Sequence, residues 1–218
     1  MKWLSINPHQ SLKKSTDIAR GLERFVPQNA LDPLCTLIEE NPCHLRITPP
    51  RKTKLGDFRP APKGLHHISV NGDLNPYSFT ITLVHEIAHL QVWDTHGPKV
   101  KPHGIEWKNT FQALLAPFIT SDVFPAEVEV ALSKYISNPK ASSCSDIELM
   151  RALSLYDKQQ STVIESLAPG MIFTFKGRDY VMEKKRRTRF ECKRLSDYRT
   201  YLFHARTPVE PVENQAAQ

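Results

Sequence analysis

The chain has 218 residues, 40% of them apolar and 24% charged, with a net charge of +6. This is an ordinary folded-protein composition, and the length suits one compact domain with a small appendage. No stretch approaches the ~20 apolar residues of a membrane span, and the apolar patch around Trp3 to Ile6 is too short for a signal-peptide core, so a cytoplasmic protein with no membrane partner is expected.

Cys35, Cys43, Cys144 and Cys192 show no C-x-x-C pairing and are expected to be reduced and mostly buried. Residues 1–15 read as a flexible arm. Residues 16–25 read as a short helix. Residues 29–40 make a clearer one, with Leu31, Leu34, Cys35, Leu37 and Ile38 on one side. Residues 43–48 alternate, Cys43, Leu45 and Ile47 against His44, Arg46 and Thr48, which is a strand signal ended by Pro49 and Pro50. Residues 51–63 read as a basic, proline-containing hairpin or loop. Residues 65–70 form the next strand, closed by an Asn71–Gly72 turn.

Then the period changes. Asn75 is a good N-cap and Pro76 suits the first helical position. Neither Gly nor Pro occurs from Tyr77 to Trp93, and Phe79, Leu83, Ile87 and Leu90 recur at helical spacing. Inside this helix lies H-E-x-x-H: His85, Glu86 and His89. Histidines four apart share a helix face and can offer two imidazole nitrogens to one zinc ion. Glu86 sits about 100° round the helix, within reach of a water on the metal, where a carboxylate acts as a base.

A third ligand is needed. A histidine at position 95 would extend the motif in its longest form, but Thr95 stands there, and His96 lies in a T-H-G-P turn. His103 is the better candidate, after a turn marked by Gly97, Pro98 and Pro102. Glu106 is its rival, since a site of two histidines and a glutamate is also common. Both sit at the start of an amphipathic helix carrying Trp107, Phe111, Leu114, Leu115 and Phe118, which Pro117 should end or distort.

Here the chain resembles the SprT-like zinc metalloprotease family. The carrying residues are L-G-D-F at 55–58, I-S-V-N-G-D-L-N at 68–75, H-E-I-A-H at 85–89 and H-G-I-E-W at 103–107, and the likeness covers about residues 20 to 118. The resemblance implies one zinc ion on His85, His89 and His103, with Glu86 as general base. It also implies an α+β, zincin-like fold, with a small antiparallel sheet beside helices that carry the motif, over residues 16–120. In such folds the strand before the metal helix borders the cleft and pairs with an extended peptide substrate. That edge is expected at residues 65–70, with His67, Ile68, Ser69 and Val70 in contact with substrate.

Further along, residues 125–136 read as a helix, 138–145 as a loop, and Ser145 with Glu148 as a capping box that opens a helix to about Tyr156. Residues 121–165 are thus a helical extension ending in a polar linker. Residues 166–206 differ in kind: four strands are expected around a Lys176–Gly177 turn and the run K-K-R-R-T-R. From Gly170 to Arg206 there are 11 Lys+Arg against 4 Asp+Glu, a net +7, which leaves −1 for everything else. The interleaved aromatics read as the core of a small barrel. The clustered charge of Lys184, Lys185, Arg186, Arg187 and Arg189 reads as a nucleic-acid surface. Residues 207–218 read as a disordered tail.

Members of the resembled family often end in a zinc ribbon with paired cysteines. This tail has only Cys192, so one zinc is expected and no other small-molecule cofactor; the likeness is to a bacterial branch without the ribbon. The expected function is a zinc endopeptidase acting on DNA-associated or DNA-crosslinked proteins, nucleoid-associated, with single-stranded or damaged DNA as partner. A zinc peptidase unrelated to DNA, or a non-catalytic zinc-containing module that binds DNA or protein, is the alternative.

Overall fold

The computed structural model of the chain describes residues 4–5, 11–51, 53–139, 146–187 and 189–212. It is a mixed α+β structure of two compact units that divide at Asp157 and Lys158. Among the described residues no helix is long and apolar enough to cross a membrane.

The first unit begins with β1 (Leu4–Ser5), α1 (Ser11–Leu22) and α2 (Gln28–Glu40). The backbone of residues 11–15 is helical and Leu4–Ser5 pairs with a strand, so these parts of the expected arm are structured. The rest of the arm lies outside the described residues. Next come β2 (Cys43–Thr48), β3 (Gly56–Arg59) and β4 (His66–Asn71). Four helices follow: α3 (Pro76–His96), α4 (Ile105–Ile119), α5 (Ala126–Ile136) and α6 (Ile147–Ser154).

The sheet runs β1-β2-β4-β3. It is mixed rather than antiparallel: β2 and β4 are parallel, with Leu45 opposite Ile68, while β1 and β3 flank them antiparallel. The parallel pair is possible because the chain leaves β2, makes β3 on the far side and returns through β4. One face of this sheet is apolar: Cys43, Leu45, Ile68 and Val70 are all buried against the helices. The other carries His44, Arg46, His67 and Ser69, as the period of two requires.

Two expectations are corrected by this topology. Residues 51–63 contain a strand, and that strand is the sheet edge. The strand at 65–70 is interior, paired on both sides, so His67, Ile68, Ser69 and Val70 have no free edge to offer a peptide. The physical reason is Arg51. Its guanidinium donates to Asn71 Oδ1 at 2.7 Å and to Ser69 Oγ at 3.0 Å, while Asn71 Nδ2 donates to Lys54 O at 3.0 Å. The loop is thereby tied down along β4.

α3 is buried on nearly every side, and Asn75 anchors its start. Asn75 Oδ1 accepts from the Ser78 N–H at 2.9 Å, and its Nδ2 donates to Leu153 O at 2.9 Å and Asp157 Oδ1 at 2.7 Å. These bonds bind α3 to the end of α6. Val128, Leu132, Tyr135, Leu149 and Leu153 share one core with α2, α3 and α4. Of the expected extension at 121–165, residues up to Asp157 therefore fall in the first unit and those from Lys158 in the second. Asp146 caps α6, accepting from the Leu149 N–H at 3.1 Å; Ser145, the expected cap, lies outside the described residues.

The second unit is an open, antiparallel five-stranded sheet in the order β8-β7-β6-β5-β9. The strands are β5 (Ile172–Phe175), β6 (Arg178–Lys185), β7 (Arg189–Arg194), β8 (Thr200–His204) and β9 (Glu210–Pro211). Phe173, Tyr180 and Phe203 pack ring against ring as its core. The unit is longer at both ends than expected. Val163 bridges to Pro208 within the expected linker, and β9 pairs with β5 within the expected tail, of which residues 213–218 lie outside the described residues.

Candidate metal centre

α3 places His85 and His89 one turn apart on a face turned to α4. His103 arrives from the turn before α4, with φ +60°, a left-handed conformation that only a few per cent of non-glycine residues adopt. The turn is closed by the Gly104 N–H on Lys101 O at 2.9 Å. Three Nε2 atoms converge: His89 to His103 2.9 Å, His85 to His89 3.2 Å and His85 to His103 3.2 Å.

This triangle fits a metal. A tetrahedral ion bound through nitrogen at about 2.0–2.1 Å holds its ligand nitrogens about 3.3 Å apart. A neutral imidazole has one donor and one acceptor nitrogen, so three mutually close Nε2 atoms cannot form a satisfied hydrogen-bond ring. A cation among three lone pairs resolves this. Burial pushes His85 well below its ordinary range, helped by the neighbouring His89 and His103. Burial, with His103, lowers His89 to about 4, and burial also lowers His103. All three are held in the neutral form that ligates. They are the group among the described residues that could hold a metal ion, and Glu106 is not part of it.

Trp107 backs the triangle. Fully buried, it stacks on His89 at 5.3 Å, meets His103 edge-on at 4.7 Å and donates from Nε1 to His85 O at 3.4 Å. Phe58, from the edge strand β3, lies parallel to His89 at 6.4 Å between centroids. The fourth side opens on a cleft of about 700 Å³, walled by Phe58, Trp93, Pro98 and Val100, with Lys54 and Lys101 also lining it.

Glu86 is 6% exposed. Burial, reinforced by the charge of Asp57, pushes its pKa up to about 8; Arg51, Lys54 and a hydrogen bond from the Phe58 backbone N–H pull the other way. It lines the same cleft as the three histidines.

The structure thus brings His85, Glu86, His89 and His103 together. It leaves Lys184, Lys185, Arg186, Arg187 and Arg189 in the second unit, all exposed. Lys184 and Arg186 both face Glu191, a buried acid on β7, so two of the five cations share one carboxylate of their own hairpin. Tyr180, Phe173, Phe190 and Phe203 are buried, while Tyr198 stands 73% exposed in the turn between β7 and β8.

Sequence reasoning missed Gly56, Phe58 and Trp107 as parts of the site. Trp107 carried a usable signal: it lies four residues after His103, one helical turn on. Gly56 and Phe58 carried none beyond their place in the L-G-D-F segment.

No family model, curated protein or solved structure matches this chain.

Proposed function

We propose that this protein is a zinc-dependent endopeptidase of the SprT-like kind, acting on DNA-associated or DNA-crosslinked proteins. One observation carries the reading: a buried glutamate stands in the same cleft as three converged imidazole nitrogens. A purely structural zinc site is closed by four ligands and has no use for such a carboxylate. Imidazole donors suit zinc, which when bound supplies a Lewis acid and lowers the pKa of a coordinated water toward ~7.

The chain's own residues do the rest. His85, His89 and His103 stay neutral and keep their Nε2 lone pairs available. Glu86 takes the proton of the attacking water on its carboxylate and passes it to the departing amine nitrogen. A divalent cation beside Glu86 favours its ionised form, which a base requires. The free edge of β3 can accept an extended peptide as a further strand, through backbone hydrogen bonds that tolerate varied sequences. Phe58, Trp93 and Val100 offer an apolar wall to one substrate side chain.

Lys185, Arg187 and Arg189 support a nucleic-acid partner, since phosphates pair with clustered cations. A cytoplasmic, nucleoid-associated setting follows from that partner. The test is cleavage of a DNA-binding protein, with and without single-stranded DNA, against Glu86→Gln. Cleavage that needs both Glu86 and DNA is expected. Cleavage indifferent to DNA removes the DNA role, and no Glu86-dependent cleavage removes the peptidase.

A further inference from the structure

We infer that Gly56 and the backbone N–H of Phe58 form a seat for the Glu86 carboxylate, which makes Gly56 a positioning residue for the base. The functional side of this inference rests on the proposed peptidase activity; the seat itself does not.

The geometry comes from the edge of the sheet. The Asn71 N–H donates to Leu55 O at 2.8 Å, so residues 55 and 71 are a hydrogen-bonded pair of the β3–β4 ladder. Antiparallel pairs alternate between bonded and non-bonded. Gly56 stands opposite Val70 and Phe58 opposite Ile68, which are the non-bonded pairs. The backbone groups of Gly56 and Phe58 therefore face away from β4, on the free edge. The Phe58 N–H on that edge is the backbone donor that favours the ionised Glu86 carboxylate.

Gly56 makes that reach possible. A Cβ at this position would lie 2.3 Å from Glu86 Oε1 and 2.8 Å from both its Cδ and Cγ. Its φ is not in the left-handed region, so the glycine is required for space and not for backbone freedom. Carbon atoms sit comfortably at about 3.5–4.0 Å, so any side chain at residue 56 drives the carboxylate back by about 1 Å. The strand is held in place by its ladder to β4. Arg51 also ties the preceding loop to Ser69 and Asn71 of β4. The seat also sets what is left for substrate: the Phe58 carbonyl and both backbone groups of Gly56 remain for an incoming strand, while the Phe58 N–H is already in use.

The experiment is a double-mutant cycle on the full chain: Gly56→Ala and Glu86→Ala, singly and together, read first by thermal unfolding and by bound metal. Gly56→Ala is expected to lower Tm by several degrees when Glu86 is present and far less in Glu86→Ala, with metal retained throughout. Equal losses in both backgrounds overturn the seat. This arm needs no activity, so a chain that cleaves nothing sinks the peptidase reading and leaves the seat to be decided here. Where the wild type cleaves peptide, Gly56→Ala is expected to lower kcat about 100-fold, as a base misplaced by 1 Å does, with KM little changed. Gly56→Ala with Glu86→Asp, whose carboxylate is one methylene shorter, should then match Glu86→Asp alone. An unchanged kcat in Gly56→Ala, or losses that simply multiply in the pair, also overturns the inference.

Discussion

The Nε2 atom of His103 lies 2.9 Å from that of His89, across 14 residues of chain and a change from turn to helix. One hydrogen bond can join these two neutral rings, but His85 Nε2 lies 3.2 Å from both, and the three cannot all be satisfied by one another. A cation held among the three nitrogens would satisfy all of them, and the cluster could hold one.

Metal content and stability should therefore move together. Purified protein should carry one zinc per chain, and His103→Ala should carry well under a tenth of that by elemental analysis. Free zinc at a thousandfold over Kd adds about 4 kcal/mol of stability. For a chain of this size that is about 10 °C in Tm, lost on chelation. No thermal response of the wild type to chelator and zinc would remove the metal site.

The stripped protein should be acid-sensitive in a defined window. His89 has an ordinary pKa of 6.5 and is lowered by burial to about 4 in the folded chain; His85 moves in the same direction. Between those values the unfolded state binds a proton that the folded state refuses. Stability of the metal-free protein is thus intact above about pH 6.5 and lost as pH falls toward 4. The same melting series on metal-free His89→Leu should be flatter over this range.

Three cysteine thiols should be slow to react. Cys35, Cys43 and Cys192 are free and buried, and burial pushes the Cys43 and Cys192 thiols up to about 12. In a Cys144→Ser background, a disulfide reagent at pH 8 should label almost nothing until denaturant is added, then three thiols per chain. Fast labelling in the folded state would contradict the packing of α2, β2 or β7.

The basic hairpin should separate into two roles. Lys185, Arg187 and Arg189 changed together to Ala should weaken single-stranded DNA binding and flatten its dependence on salt, with Tm unchanged. Arg186→Ala should instead cost about 1 kcal/mol of stability, because among the described residues buried Glu191 then keeps the more distant Lys184 at 3.9 Å. Equal effects of both on Tm would mean that the hairpin is structural throughout.

Much of this site was legible because helices are local. The repeat of Phe79, Leu83, Ile87 and Leu90, with Asn75 and Pro76 before it, marks α3 without reference to anything distant. A helix of known period then fixes His85, Glu86 and His89 relative to one another. The alternation of Cys43, Leu45 and Ile47 located β2 to the residue for the same reason. β3 was not legible: four residues, G-D-F-R, offer no alternation to read, and lysines and prolines surround them.

What only the tertiary structure decided is pairing. Which strand holds the edge depends on the Arg51 bonds to Ser69 and Asn71, which join residues 18 and 20 apart. That His103 and not Glu106 completes the triangle depends on a left-handed turn whose cost is met by packing against Trp107. That Gly56 must be a glycine depends on a carboxylate 30 residues away. By itself the sequence determined the spacing of His85, Glu86 and His89 and the local elements, since local periodicity suffices for these. The approach of His103, the edge of the sheet and the wall behind Glu86 arise from contacts between distant segments, and a linear pattern contains no record of which distant segments meet.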